Sequence, residues 1–375
     1  MVMASRSGSP NGAARRVLHG CRVVTTSLTA RVILANQLRA LDDVGWTVVS
    51  GDAYDDPPPG VEVEVIPIRR EFAFSDFASL AHLWRYFRRR RFDFVQTHTP
   101  KASFLGLPAA RLAGVPAVYT VHGALYFAGN GRKANVLGWC FERWCCSWAT
   151  RVLVQSEEDA LALPAAHICP RSKLTYVGNG IALDHFAAAT PPALTSTGPI
   201  VMMISRLVRE KGCLDFLAVA DSLAGRARFV HVGPSEHDQS DALTEVELAA
   251  AVGSVEFVGA VDDVRPLLAS ASLVVLPSYR EGIPRVAMEA SAMGIPVVAY
   301  DIRGVREVIA PELGLLVPRG DRVALERLVE SLLGDPGRRA ELGDRSRRWV
   351  VSRFSEDGVV DRLRGVYADL TPGAP

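Results

Sequence analysis

The sequence predicts an α/β protein built from two doubly wound parallel sheets, and three observations predict it. The chain is 375 residues long, too long for one comfortable core and natural for two. Short aliphatic runs alternate with helical stretches through both halves, the order that gives parallel sheets covered on both faces. Between the halves, residues 187–199 read AAATPPALTSTGP, a small, proline-rich stretch without periodicity that marks a linker.

In the first half, residues 1–14 are rich in Ser, Gly, Ala and Arg and have no apolar core of a signal peptide, which predicts a disordered start. Val17 to Thr25 reads as the first strand, Ile33 to Asp43 as the first helix and Trp46 to Ser50 as the second strand. Thr25 to Thr29 offers hydroxyls at the end of the first strand. Phe77, Leu80, Trp84 and Phe87 share a helical face and are expected in the core, with Arg85 and Arg88 to Arg91 turned outward. That basic run suits a solvated helix end, where cations complement the dipole, and equally a patch for anionic lipid headgroups.

Two histidines follow strand-like runs. Phe94 to Thr97 leads into His98, Thr99, Pro100 and Lys101; Val118 to Val121 leads into His122 and Gly123. Both positions fall at the carboxyl edge of a parallel sheet, where ligands bind, although a histidine there also serves as an ordinary structural residue. Phe141, Trp144 and Trp148 are expected in the core of a helix that also carries Cys145 and Cys146, leaving Trp139 to face outward. Arg151 to Gln155 is a further strand, and Ser156 before Glu157, Glu158 and Asp159 is a helix start.

The second half opens with strand Ile200 to Ile204 and the turn SRLVREKG, in which Arg206 and Lys211 match the charge of a diphosphate. Residues 272–300, SLVVLPSYREGIPRVAMEASAMGIPVVAY, read as strand, loop, helix and strand. Leu273 to Leu276 is the strand, Pro284 suits the first helical position, and Gly294 with Pro296 stops the helix. Glu281 precedes the helix, where the amides of Gly282, Ile283 and Arg285 and the dipole make a phosphate cradle. Glu289 lies a turn or so into the helix, within reach of a sugar diol beside that phosphate. Spacing alone equally allows a surface charge and a solvated helix position.

Composition narrows the function classes. Residues 1–190 hold 21 Lys and Arg against 15 Asp and Glu, and the remainder 21 against 26, so a balance of +6 meets one of −5. Such a split suggests different partners for the two halves, or none at all. The six cysteines have neither zinc spacing nor a disulfide framework, which fits a reducing cytoplasm. No run approaches a membrane span of about 18 apolar residues, so a soluble or peripheral protein is expected. There is no Asp-X-Asp, Walker or G-x-G-x-x-G motif; no metal, no cofactor and no nucleic acid partner is expected.

EGIPRVAMEA, with Glu-X7-Glu between an aliphatic strand and a helix ending in GIPVVA, resembles the retaining glycosyltransferases of family 4. The resemblance runs from about Val17 to about Leu370 and implies the GT-B architecture, two Rossmann-like domains facing a cleft. It implies an amino-terminal domain over 15–190, a nucleotide-sugar domain over 191–350 and a terminal helix in 351–375 crossing back. THTPKAS and YTVHGALYF are similar to segments of family 4 enzymes that build capsular or lipid-linked glycans. VGNGIALDHF is similar to the stretch that closes the first domain. The family's glycine-rich loop after the first strand is replaced here by TTSLTARV, and no residue is carried over from it.

The implied activity is metal-independent, retaining hexosyl transfer from a nucleotide-diphosphate sugar, UDP-linked, to a lipid-linked or glycan acceptor. Arg206 and Lys211 would stabilise the leaving diphosphate, Glu281 would hold the sugar hydroxyls, and Glu289 the ribose. His122 would lie over the sugar, and backbone near Phe257 to Gly259 would enclose the base. His98, Thr99 and Lys101 would line the acceptor side. Two readings compete: a nucleotide-sugar 2-epimerase of the same fold, and, as a different class, a non-catalytic nucleotide-sugar-binding subunit. Nucleotide release that needs acceptor, isomerised sugar, or binding without turnover separates the three.

Overall fold

The computed structural model describes residues 17–69, 73–127, 129–187, 198–235, 241–251 and 253–371. The start expected to be disordered and most of the linker lie outside them. Among the described residues, thirteen strands form two parallel sheets. The first sheet contains β1 (Leu18–Val23), β2 (Val44–Ser50), β3 (Glu62–Val65), β4 (Phe94–Thr97), β5 (Ala117–Val121), β6 (Arg151–Val154) and β7 (Leu174–Tyr176), ordered β3-β2-β1-β4-β5-β6-β7. The second contains β8 (Ile200–Ile204), β9 (Arg228–Val232), β10 (Val255–Gly259), β11 (Leu273–Leu276), β12 (Val297–Asp301) and β13 (Leu316–Pro318), ordered β10-β9-β8-β11-β12-β13. Chain contacts divide the molecule into two compact units. One is 1–97, 101–117 and 363–375; the other is 98–100 and 118–362.

The central strands are aliphatic on both faces because helices cover both faces. All four residues of β11 and all five of β8 are buried. The helix Arg285–Ala292 follows Pro284, whose φ of −73° and ψ of 111° place it just outside the helical turn. It ends where Gly294 adopts φ 76°, a left-handed conformation that costs glycine little.

Four local expectations need correction. The first helix begins earlier, from Ser27 through a π turn at Ala30–Leu34 to Ala40, because Ala30, Leu34, Ala35 and Leu38 supply its buried face. Thr25 and Ser27 are buried in its approach. In the helix Ser75–Arg90 the buried positions are Ser79, Leu83 and Phe87, and Phe77 is 73% exposed. Trp144 is exposed, while Cys145 and Cys146 beside it are buried.

The terminal helix expected in 351–375 is Glu356–Leu370, and a separate helix, Pro336–Arg353, precedes it. The break at Phe354 frees backbone for pairing: Ile181 N donates to Phe354 O at 3.1 Å, and Glu356 N to Ile181 O at 3.2 Å. A Cβ on Gly180 would sit 2.7 Å from Ser355 O, so the approach requires glycine there. Further along the last helix, Tyr367 stacks on Phe94 with centroids 4.4 Å apart. Its hydroxyl donates to Gln96 Oε1 at 2.5 Å and accepts from the fully buried Arg22 at 3.3 Å. Arg22 also lies over Trp46 at 4.5 Å.

Candidate functional site

The second sheet reverses its winding between β8 and β11. These strands are neighbours, pairing Val201 with Leu273 and Met202 with Val274, and the chain leaves them in opposite directions. Connections from their carboxyl ends pass to opposite faces of the sheet, and the crevice at such a switch point is the usual ligand position in an open α/β sheet. Arg206 and Lys211 lie in the loop after β8, and Glu281 in the loop after β11.

The two loops touch. Gly212 has φ 73°, and a Cβ there would lie 1.9 Å from Pro277 O, so no other residue fits. Tyr279 N donates to Glu210 O at 2.9 Å. Lys211 Nζ then meets Glu281 Oε1 at 2.7 Å, with side-chain exposures of 19% and 12%. Arg206 is exposed at the start of its loop. Beneath it, Ser205 Oγ donates to Arg206 O at 3.0 Å and lies 3.4 Å from His231 Nε2.

Glu289 is 8% exposed, which rules out a solvated position. Burial raises its carboxyl above the ordinary value, and Arg285, reaching it at 3.4 Å, works against that rise. Arg285 also opens the helix, next to Gly282 and the buried Ile283. Phe257 and Gly259 end β10, two strands from β8 at the same sheet edge. There Gly259 O accepts from Gly233 N at 2.8 Å.

His122, just past β5, is fixed from both ring nitrogens. Nδ1 lies 3.0 Å from Gln155 Oε1, and Nε2 lies 3.1 Å from His98 Nδ1. An amide oxygen only accepts, so Nδ1 carries a proton, and in the neutral ring Nε2 accepts from His98. Backbone contact brings this loop to Glu281: a Cβ on Gly282 would lie 2.1 Å from His122 O, and one on Gly123 would lie 2.8 Å from Gly282 Cα. His98, His122, Lys211, Glu281 and Gly282 thus form one neighbourhood. Thr99 is half-buried. Lys101 is 5% exposed and paired with Asp76, so contact with an acceptor would cost that pair.

Sequence reasoning missed a second set of charges. Arg303 Nη1 pairs with Asp159 Oδ1 at 2.8 Å, and Arg306 pairs with Glu158 at 3.3 Å. Glu307 accepts from Ser156 Oγ at 2.5 Å and Glu157 N at 2.9 Å, capping the helix Glu157–Ala165. The signal was faint: an acidic run at 157–159 and a basic-acidic RGVRE at 303–307, with nothing in sequence to pair them. Beside them a cavity of about 360 Å³ is lined by Phe127, Tyr279, Glu281, Arg303, Arg306 and Arg319, among others.

Two family models match in tandem. Residues 29–180 match the glycosyl transferase 4-like domain, and 198–335 match glycosyl transferases group 1. The sucrose-phosphate synthase of Thermosynechococcus elongatus superposes with a TM-score of 0.80 at 21% identity, covering 94% of this chain and 99% of that one. The chain is a glycosyltransferase with the GT-B fold. The capsular polysaccharide biosynthesis glycosyltransferase CapM of Staphylococcus aureus is 26% identical over 81% of this chain and 84% of its own length. An Escherichia coli enzyme named UDP-Gal:alpha-D-GlcNAc-diphosphoundecaprenol alpha-1,3-galactosyltransferase is 26% identical over 79% and 80%. The expected GT-B architecture is therefore borne out. No helix among the described residues of this glycosyltransferase is long and apolar enough to cross a membrane.

Proposed function

We propose that this glycosyltransferase moves a hexosyl group, with retention, from a UDP-linked sugar to a lipid-linked acceptor of a surface polysaccharide. The observation that carries the reading is the Lys211–Glu281 contact of 2.7 Å at the crevice between β8 and β11. It sets a cation for phosphate beside a carboxylate for sugar hydroxyls, at the head of a helix whose amides favour anions. The name of the Staphylococcus relative supports a surface polysaccharide, and that of the Escherichia relative supports a lipid-linked acceptor and uridine.

In this reading the bond from the anomeric carbon to the leaving phosphate oxygen breaks, and its electron pair stays on that oxygen. The acceptor hydroxyl attacks from the same face and passes its proton to the departing phosphate. Arg206, Lys211 and the amides of Gly282, Ile283 and Arg285 meet the charge that grows there, with no metal required. Glu281 holds the sugar hydroxyls and Glu289 the ribose. His122, oriented by Gln155 and His98, lies on the sugar side. Backbone at Phe257 to Gly259 encloses the base, and His98 and Thr99 border the acceptor. The exposed arginines of the helix Ser75–Arg90 would dock on anionic lipid at the inner membrane face.

Incubation with a panel of nucleotide sugars, with and without polyprenyl diphosphate-linked sugar and with EDTA throughout, tests this. Nucleotide release only with acceptor is expected, and Arg206→Ala or Lys211→Ala should lower turnover by about a hundredfold or more. Isomerised sugar, binding without turnover, strict metal dependence, or near wild-type activity in both variants overturns the reading.

A further inference from the structure

Arg303 lies just past β12, and its guanidinium reaches the segment that follows His122. Nη1 donates to Asp159 Oδ1 at 2.8 Å and to Tyr126 O at 3.3 Å, and Nη2 donates to Ala124 O at 2.8 Å. The guanidinium carbon lies 4.9 Å from the Phe127 ring centroid. Arg303 is 11% exposed and Asp159 1%, so this is no solvated surface pair.

The same segment is gripped through its amides. Asp159 Oδ2 accepts from Ala124 N at 3.1 Å, and Glu142 Oε1 accepts from Leu125 N at 2.8 Å. The next residue after Arg303 completes the arrangement. Gly304 has φ 74°, and a Cβ there would lie 1.4 Å from Gly282 O. Arg303 therefore holds the His122 loop with its side chain while its neighbour presses the Glu281–Gly282 loop with backbone.

We infer that Arg303 is a positioning residue for glycosyl transfer, setting the separation between His122 and the Glu281–Gly282 loop. The inference rests on the reading that those groups flank the donor sugar. A planar fork serving two carbonyls and one carboxylate fixes direction as well as distance, and an ammonium in its place keeps only the charge. Misplacing reacting groups by about 1 Å costs on the order of a hundredfold in rate without loss of binding.

Three variants separate positioning from mere stability. Arg303→Lys should lower kcat at saturating donor by about ten- to a hundredfold. The affinity for free nucleotide diphosphate and the Tm should stay near wild type, and the Ala124 and Leu125 amides should exchange hydrogen faster. Arg303→Ala leaves Asp159 buried without its partner and should lower Tm. Adding Asp159→Asn should recover the Tm and not the kcat. Wild-type kcat in Arg303→Lys, unchanged exchange at Ala124 and Leu125, or kcat that returns with Tm in the double variant overturns the inference. If wild-type protein binds no nucleotide diphosphate, the donor-site reading fails, and the exchange measurement still decides whether Arg303 holds the loop.

Discussion

Glu281 and Glu289 are both carboxylates on one short segment, yet their surroundings differ. Glu281 touches Lys211 at 2.7 Å in a half-open loop, whereas Glu289 is buried in the helix against Arg285. In the proposed reading, a sugar that gains positive character as its bond to phosphate breaks would be held more strongly at that moment by Glu281. Glu281→Gln should therefore lower the saturated rate and leave nucleotide affinity nearly intact. The ribose does not change during transfer, so Glu289→Gln should weaken donor binding by about 1–3 kcal/mol, the loss of a charged hydrogen bond. Titration with free nucleotide diphosphate beside saturating-donor kinetics reads both. Lost nucleotide binding in Glu281→Gln with slowed turnover in Glu289→Gln would exchange the two roles. These residues were legible in sequence because one strand–loop–helix unit carries both, and the turn after β8 supplies the lysine. Arg303 and Asp159 were not, since their contact joins positions 144 apart and follows no local period.

The helix Ser75–Arg90 illustrates what local pattern determines and what packing decides. Its outward arginines followed from sequence, and Arg85 and Arg88 to Arg91 are exposed. Its buried face did not, because Ser79 is buried by donating to Pro67 O at 2.6 Å, a contact no hydropathy pattern encodes. Phe77 consequently points outward near Phe74, which is 94% exposed. Arg88 lies over Trp84 at 5.7 Å, and Arg90 pairs with Glu62. Cations with exposed aromatic rings on one helix are the composition that binds acidic lipid surfaces. Binding to vesicles containing anionic lipid should weaken as salt rises and in Arg88→Glu with Arg89→Glu, as charge-driven docking does. Sedimentation with the vesicles measures it. Absent binding, or binding indifferent to both changes, leaves the arginines as a solvated helix end.

At the scale of the whole molecule, two buried groups pull stability in opposite directions with pH. Burial raises the Glu142 carboxyl from its ordinary 4.5 to about 7, against its bonds from Leu125 N and Tyr119. Burial lowers the His231 imidazole from 6.5 to about 4, and its Nδ1 has no hydrogen-bond partner among the described residues. Between 4.5 and 7 the folded chain keeps a proton on Glu142 that the unfolded chain has lost, so this contribution falls as pH rises. Between 4 and 6.5 the unfolded chain keeps a proton on His231 that the folded chain lacks, so that contribution rises. Each slope is about 1.4 kcal/mol per pH unit, and between 4.5 and 6.5 the two offset each other. Removing either group should expose the other. The stability of Glu142→Gln relative to wild type should climb with pH between 4.5 and 7. That of His231→Gln should decline between 4 and 6.5. Denaturant unfolding at half-unit steps from pH 4 to 7.5 gives both differences. A Glu142→Gln difference that stays constant with pH would mean that Glu142 does not titrate in this range. The anchor it gives Leu125, three residues past His122, would then hold equally at every pH where the fold persists.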